Sequence, residues 1–356
     1  MAAIQFIASL YVPSKTFVIL VWKYWPWLKN RHIYNFNSKR SSQETLSNCT
    51  VKNCIFIGDD SLINSVDAVL VHIMRGVIPK VRHRNKKQIW VFLNDESPRN
   101  IFSLANKPPD LKTLENVFNW SMTYRSDSDV PVPYGRTVPL QRPLNFKITY
   151  RSIAESIPNL RTKRSNVLVA VVISNCNVPF RMNFLKELQK HIKIDVYGKC
   201  SKDKNNECPG HFRADCHLVD QYYFYLVMEN SKCHQYITEK VFHNAYSKGA
   251  IPILVGPSVN DSKMLLPPNS YIHSENYNSH EELAAKIIRT YQNIKKYLSY
   301  HLWRNYFEIL NEHGYFGSKS YHLCRLCEAL NYNKIEEKIY TLDDLRQFLD
   351  PSLLCD

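Results

Sequence analysis

A chain of 356 residues, 44% apolar and 12% aromatic, carries enough apolar surface to offset the entropy of ordering its backbone, which excludes wholesale disorder. That length exceeds one ordinary core and suits two lobes. The formal charge of +14 suits an anionic ligand. Lys80, Arg82, His83, Arg84, Lys86 and Lys87 form a basic run, but no zinc-finger, RNA-recognition or helix-turn-helix pattern accompanies it, so it reads as a solvated turn and nucleic acid is not an expected partner.

In chain order, residues 4–22 are mostly apolar with Lys15 as the sole charge, just long enough to cross a bilayer, and read as an uncleaved membrane anchor. Residues 31–47 are polar without an apolar period, a stem or linker, and the folded part is expected to begin near Cys49. Residues 65–72 and 88–93 read as buried strands separated by the basic turn. A Pro-rich stretch, 131–143, interrupts regular structure, and the polar, basic residues 157–165 mark a domain boundary. Residues 167–173 are seven consecutive apolar positions, a buried parallel strand. Phe184, Leu185, Leu188 and Ile192 follow at helical spacing, then Ile192, Ile194 and Val196 alternate as a strand. The pattern recurs with a helix over 238–246, Gly249 as its stop and a strand over 251–255. Leu283, Ile287, Tyr291, Ile294 and Leu298 mark one long amphipathic helix. Strands alternating with helices predict an α/β fold of two lobes facing a cleft: residues 1–48 as anchor and stem, 49–160 and 161–330 as lobes, 331–356 as a tail.

Ten cysteines and three N-x-S/T sequons, at Asn48, Asn119 and Asn260, point to an oxidising lumen. Structural disulfides are favoured over a zinc or redox role for Cys324 and Cys327.

Four segments hold candidate chemistry. In residues 222–245, YYFYLVMENSKCHQYITEKVFHNA, Glu229, Asn230, Glu239 and Lys240 crowd an apolar neighbourhood, where charge needs a reason. Thr238 is placed to cap the following helix, and a lysine in its first turn suits an anionic ligand; an amphipathic helix facing water is an equal alternative. Arg181, six residues past the strand at 167–173, can reach a diphosphate in the crevice beyond the strand ends. After the 88–93 strand come Asn94, Asp95, Glu96, Ser97 and Pro98, either a general base at a strand end or a polar turn. Asp127 and Asp129 have the spacing of a divalent-cation site but also suit a turn.

Residues 118–130, FNWSMTYRSDSDV, continuing to VPYG at 132–135, resemble the block FNWTLSYRxDSDxxVPYG of the α1,3/4-fucosyltransferases, glycosyltransferase family 10. Phe224-Tyr-Leu, Glu229-Asn-Ser and Tyr236-Ile-Thr-Glu-Lys240 resemble that family's FYLxFENSxxxDYITEK signature. The resemblance runs from about Cys49 to Cys327. It implies a GT-B fold, with the first lobe on the side of a GlcNAc-containing glycan acceptor and the second binding GDP-fucose, and transfer to a 3-hydroxyl with inversion. It further implies Glu96 as base, Arg181 and Lys240 on the diphosphate, and Asn230, Tyr236 and Glu239 around fucose and nucleotide. GDP-fucose enters as donor substrate, with no tightly bound cofactor and no obligatory metal. Cys49, Cys54, Cys324 and Cys327 match the family's paired cysteines, which implies that the C-terminal tail is stapled back onto the first lobe. The relatives are type II membrane glycoproteins of the Golgi, which implies the same residence here. Two departures stand out: Asp95 replaces an apolar residue and is expected to repel or compete with Glu96, and Tyr223 replaces a Lys or Arg ahead of FYL.

Overall fold

The structure, a computed structural model, describes residues 15–23, 46–206, 208–210, 214–334 and 338–356. Short runs rich in Val, Ile, Leu and aromatics form parallel strands covered on both faces. In the first sheet these are β1 (Phe17–Trp22), β2 (Cys54–Ile57), β3 (Ala68–His72), β4 (Ile89–Asn94) and β5 (Trp120–Thr123), in the order β2-β1-β3-β4-β5, all parallel.

β1 overturns the expected membrane span where it overlaps residues 4–22. Phe17–Trp22 lies between β2 and β3, Ile19 opposite Phe56 and Ala68, with Ile19 and Leu20 fully buried. A central parallel strand is apolar on both faces, so its run looks like the end of a span. The first lobe therefore includes β1, well upstream of Cys49. Residues 4–14 and the stem up to residue 45 lie outside the described residues. Among those described, no helix is long and apolar enough to cross a membrane.

The period-two alternation of these strands divides their side chains between two cores. Ile19, Leu70, Val91, Leu93 and Met122 pack on one face against Leu323, Leu326 and Leu330; Leu20, Val69, Val71, Trp90 and Phe92 pack on the other against Tyr340, Leu345 and Leu349.

The second sheet contains β7 (Val169–Val172), β8 (Ile194–Tyr197), β9 (Phe224–Met228), β10 (Ile251–Val255) and β11 (Ile272–His273), parallel in the order β11-β10-β9-β7-β8. Between the sheets run β6 (Gly135–Pro139), inside the stretch expected to be irregular, and α1 (Tyr150–Glu155). Ile153 and Ile157 pack in the second core with Val169 and Phe224, so the chain enters the second lobe upstream of the 160/161 boundary. α2 (Pro179–Leu188) buries Arg181, Leu185 and Leu188. The expected 238–246 helix is a six-residue π turn, Lys240–Ala245, followed by a 3-10 turn that Gly249 stops at φ 69°. A side chain at Gly249 would also meet the Pro158 carbonyl oxygen at 2.1 Å, so only glycine fits. After α3 (Val259–Leu265), the long amphipathic helix is two helices, α4 (His280–Gln292) and α5 (Ile294–Ser299). Asn293 breaks it: extended, it caps α5 by accepting from the Lys296 N–H at 3.1 Å, a bond that competes with helix continuation.

The chain returns through β12 (Phe307–Asn311), antiparallel to β6, into α6 (His322–Tyr332), α7 (Leu342–Leu349) and α8 (Pro351–Leu354). α6 and α7 cover opposite faces of the first sheet, so residues 322–330, assigned from sequence to the second lobe, and part of the tail complete the first lobe's core. Cys49–Cys324 and Cys54–Cys327 staple α6 to the first lobe, a connectivity the sequence left open, and Cys176–Cys200, Cys208–Cys216 and Cys233–Cys355 pair all ten cysteines. Of the sequons, Asn48 and Asn260 are exposed. Asn119 is a core residue whose side chain accepts from Trp90 N at 2.8 Å and donates to the Lys338 carbonyl at 2.8 Å.

Candidate active site

Taken by sequence, each sheet has the doubly wound order 2-1-3-4-5, which places a ligand crevice beyond the carboxyl ends of the strands where the order reverses. In the second sheet that point lies between β7 and β9. A cavity of about 340 Å³ is found there, lined by Ser174 and Asn175 after β7, Asn230 after β9, and Arg181, Tyr236, Glu239 and Lys240. Glu96, two residues beyond β4, closes it from the first lobe together with Tyr134. All six candidate residues meet in this one cavity.

Glu96 Oε2 accepts from the Tyr236 hydroxyl at 3.1 Å and from Asn230 Nδ2 at 3.5 Å, while Asn94 Nδ2 donates to the Glu96 carbonyl at 2.7 Å. Burial first, and then the Glu96 charge, pushes the Tyr236 phenol well above its ordinary value, so it remains a donor to the carboxylate. A second bridge between the lobes joins the Ser97 and Ser231 hydroxyls at 2.5 Å.

Lys240 does not present a bare positive charge. Its Nζ donates to Glu229 Oε2 at 3.0 Å, Glu239 Oε1 at 3.1 Å and Thr238 Oγ1 at 2.8 Å. Glu229 is fully buried and also accepts from the Thr238 N–H at 3.0 Å. Burial pushes the Glu229 carboxyl up; burial also opposes the Lys240 ammonium, but Glu229 and Glu239 win and hold it above its usual range. Thr238 thus orients Glu229 and Lys240 instead of capping a regular helix. Arg181 is 4% exposed and donates to the Met228 and Asn175 carbonyls. Burial lowers its pKa, yet a guanidinium stays charged.

The other candidates lie elsewhere. Asp127 is paired with Arg125, and Asp129 accepts from Ser121 N at 2.8 Å, Tyr340 at 2.8 Å and Lys338 at 2.6 Å. Both carboxylates fix the chain, and neither lines the cavity. Asp95 does not compete with Glu96: its carboxylate points into the protein and is bound by His313 at 2.6 Å. Tyr223 stands ahead of β9, edge-on to Tyr291 and Tyr297, at the strand end away from the cavity. Of the basic run, Arg84 donates to Asn119 and stacks on Trp90.

Sequence reasoning passed over Tyr134, Asn244, Tyr315 and Phe316, which also line the cavity. It noted Glu229 without seeing that it is the buried counter-ion of Lys240. The usable signals were Tyr134 inside the VPYG block and Asn244 one turn beyond Lys240.

Residues 161–347 match the family model described as glycosyltransferase family 10 (fucosyltransferase) C-term, and residues 14–135 that described as fucosyltransferase, N-terminal. The second range includes β1. The chain is 32% identical to alpha-(1,3)-fucosyltransferase 7 of Rattus norvegicus, over 82% of this chain and 70% of that protein. It is also 32% identical to 4-galactosyl-N-acetylglucosaminide 3-alpha-L-fucosyltransferase 9 of Bos taurus, over 82% and 74%. The fold is similar to a crystal structure of an alpha1,3-fucosyltransferase with GDP-fucose, with TM-score 0.54 and 17% identity over 94% of this chain and 95% of that one. Two matched domains, these relatives and the shared GT-B architecture make the chain a member of glycosyltransferase family 10, the fucosyltransferases.

Proposed function

We propose that the protein transfers L-fucose from GDP-β-L-fucose to the 3-hydroxyl of GlcNAc in glycoprotein glycans, with inversion. The observation that carries this reading is that Glu96 of the first lobe and Arg181 and Lys240 of the second face one cavity at the switch point of a nucleotide-binding sheet. In a single in-line displacement, the acceptor oxygen bonds to the anomeric carbon as the bond to GDP breaks. Glu96 takes the hydroxyl proton, and GDP leaves with the bonding electron pair from the opposite face.

Arg181, bonded to carbonyls, supplies positive charge to the diphosphate, and Lys240, held between Glu229 and Glu239, supplies oriented N–H donors. Asn230 and Tyr236 set the Glu96 carboxylate, and Glu239 offsets positive charge developing on the sugar. No step is assigned to a metal: Asp127 and Asp129 are taken up by protein donors. The reading predicts substantial transfer in chelator. Five disulfides support a luminal site of action, and the mammalian relatives support the Golgi.

The test is Glu96→Gln assayed with GDP-fucose and N-acetyllactosamine. Turnover should fall about 10²–10⁴-fold with GDP affinity retained, and linkage analysis of the wild-type product should give an α1,3 bond. Undiminished turnover would remove Glu96 from the role of base.

A further inference from the structure

Directly behind Glu96 lies a group of buried polar side chains that the proposed chemistry does not use. Asp95 is fully buried, and His72, His313 and His322 are each at most 3% exposed. Asp95 Oδ2 meets His313 Nε2 at 2.6 Å, and Oδ1 lies 3.8 Å from His72 Nε2. The His313 ring stacks flat on Tyr134, centroids 3.9 Å apart at 10°. The Tyr134 hydroxyl in turn donates to the Asp95 carbonyl at 2.9 Å. The ring of contacts closes on one residue: Asp95 is gripped through its side chain by His313 and through its main chain by Tyr134. Tyr134 also meets Tyr236 edge-on, centroids 6.1 Å apart, and Tyr236 holds Glu96. His313 follows β12 in the connection between the lobes.

We infer that Asp95 and His313 are positioning residues for Glu96: their bond, closed through Tyr134, fixes the main chain at residues 95 and 96 and so aims the Glu96 carboxylate into the cavity. The inference rests on the proposed role of Glu96. Asp95 does not line the cavity, so it acts through its neighbour. Burying a carboxylate is unfavourable unless it is paired, and His313 supplies that pairing without itself lining the cavity. A carboxylate displaced by an ångström loses on the order of 10²-fold in rate.

The test compares Asp95→Leu, Asp95→Asn, His313→Leu and His313→Gln with wild type, with kcat expressed per GDP-binding site titrated in each preparation. Asp95→Leu and His313→Leu should lower kcat about 10²-fold while the GDP dissociation constant shifts less than about threefold, because the second lobe's donors are untouched. Asp95→Asn still accepts from His313 and His313→Gln still donates to Asp95, so both should stay within about tenfold of wild type. Thermal melts identify unfolded preparations, and the two conservative variants carry the test if the leucine variants do not fold. Unchanged kcat per site in a folded leucine variant overturns the inference, as does a loss in the conservative variants equal to that in the leucine variants or to that of Glu96→Gln. Absence of transfer by the wild type itself would overturn the functional reading and the inference with it.

Discussion

Lys240 is the residue whose surroundings most change the meaning of its charge. Glu229 has no exposure and depends on Lys240 and Thr238 for its partners in the second lobe. Lys240→Ala therefore removes the proposed phosphate donor and also leaves a carboxylate buried without its cation. Removing one partner of a buried pair destabilises by about 3–5 kcal/mol, whereas replacing both with apolar or neutral groups is often tolerated. The expected outcome is that Lys240→Ala weakens GDP binding and lowers the melting temperature sharply. Glu229→Gln with Lys240→Met should recover most of the stability and none of the GDP affinity. Calorimetric titration with GDP and thermal melts of both variants separate the two roles; a double variant no more stable than Lys240→Ala would show that pairing with Glu229 is not what Lys240 contributes to the fold.

At the scale of elements, the loop before β9 is tied to the π turn and its 3-10 extension by a charged knot. His243 Nε2 meets Asp215 Oδ1 at 3.0 Å, and the Lys248 ammonium lies between Asp215 and Asp220. Asp215, His217 and Asp220 are the one His and carboxylate group among the described residues close enough to hold a metal ion, and Lys248 already fills that role. Burial works to raise the Asp215 carboxyl, but hydrogen bonds from His243 and Lys248 outweigh it and hold it well below the ordinary 3.8. A carboxyl depressed in the folded state stabilises fully above its unfolded value and loses that contribution as pH falls through the folded one. Asp215→Asn should thus melt lower than wild type near neutral pH, with the gap closing progressively below the ordinary aspartate value. A gap independent of pH would mean that the charge of Asp215 is not what stabilises the knot. The knot was not legible in the sequence, because its members come from two segments on either side of β9. Strands β4, β7 and β10 were legible, being apolar runs of fitting length bounded by turn residues. β1 was misread for the same reason: a continuous apolar run carries no period to tell a buried strand from a membrane segment. The break at Asn293 was hidden because apolar spacing continues through it, and only the cap geometry shows the helix restarting. The six cavity residues were singled out by the family resemblance, because their own spacing fits a polar turn at Glu96 or a solvated helix face at Lys240 as well as a site.

Across the whole molecule, the C-terminal segment holds the two lobes together. α6 and α7 complete the first core, and Cys233–Cys355 then ties the last residues to the loop that carries Asn230 and Tyr236. Cys49–Cys324 and Cys54–Cys327 join residues 275 and 273 positions apart, side by side, so their contributions are not independent. While one is intact, the other closes only the few residues between neighbouring cysteines and contributes about 3 kcal/mol by loop entropy. When both are absent the released loop is very long, even with the shortcut through Cys233–Cys355, and the second loss is about 5 kcal/mol. Removing Cys54 and Cys327 as alanines, or Cys49 and Cys324, should each lower the unfolding free energy modestly, and removing all four should lower it by clearly more than the sum of the two. Urea unfolding of the three variants measures this directly. Strict additivity would show that the paired staples act through local packing around α6 and not by restricting the unfolded chain. Because α6 covers the sheet that carries Glu96, while the proposed GDP contacts belong to the second lobe, the four-cysteine variant should lose transfer before it loses GDP binding as urea is raised.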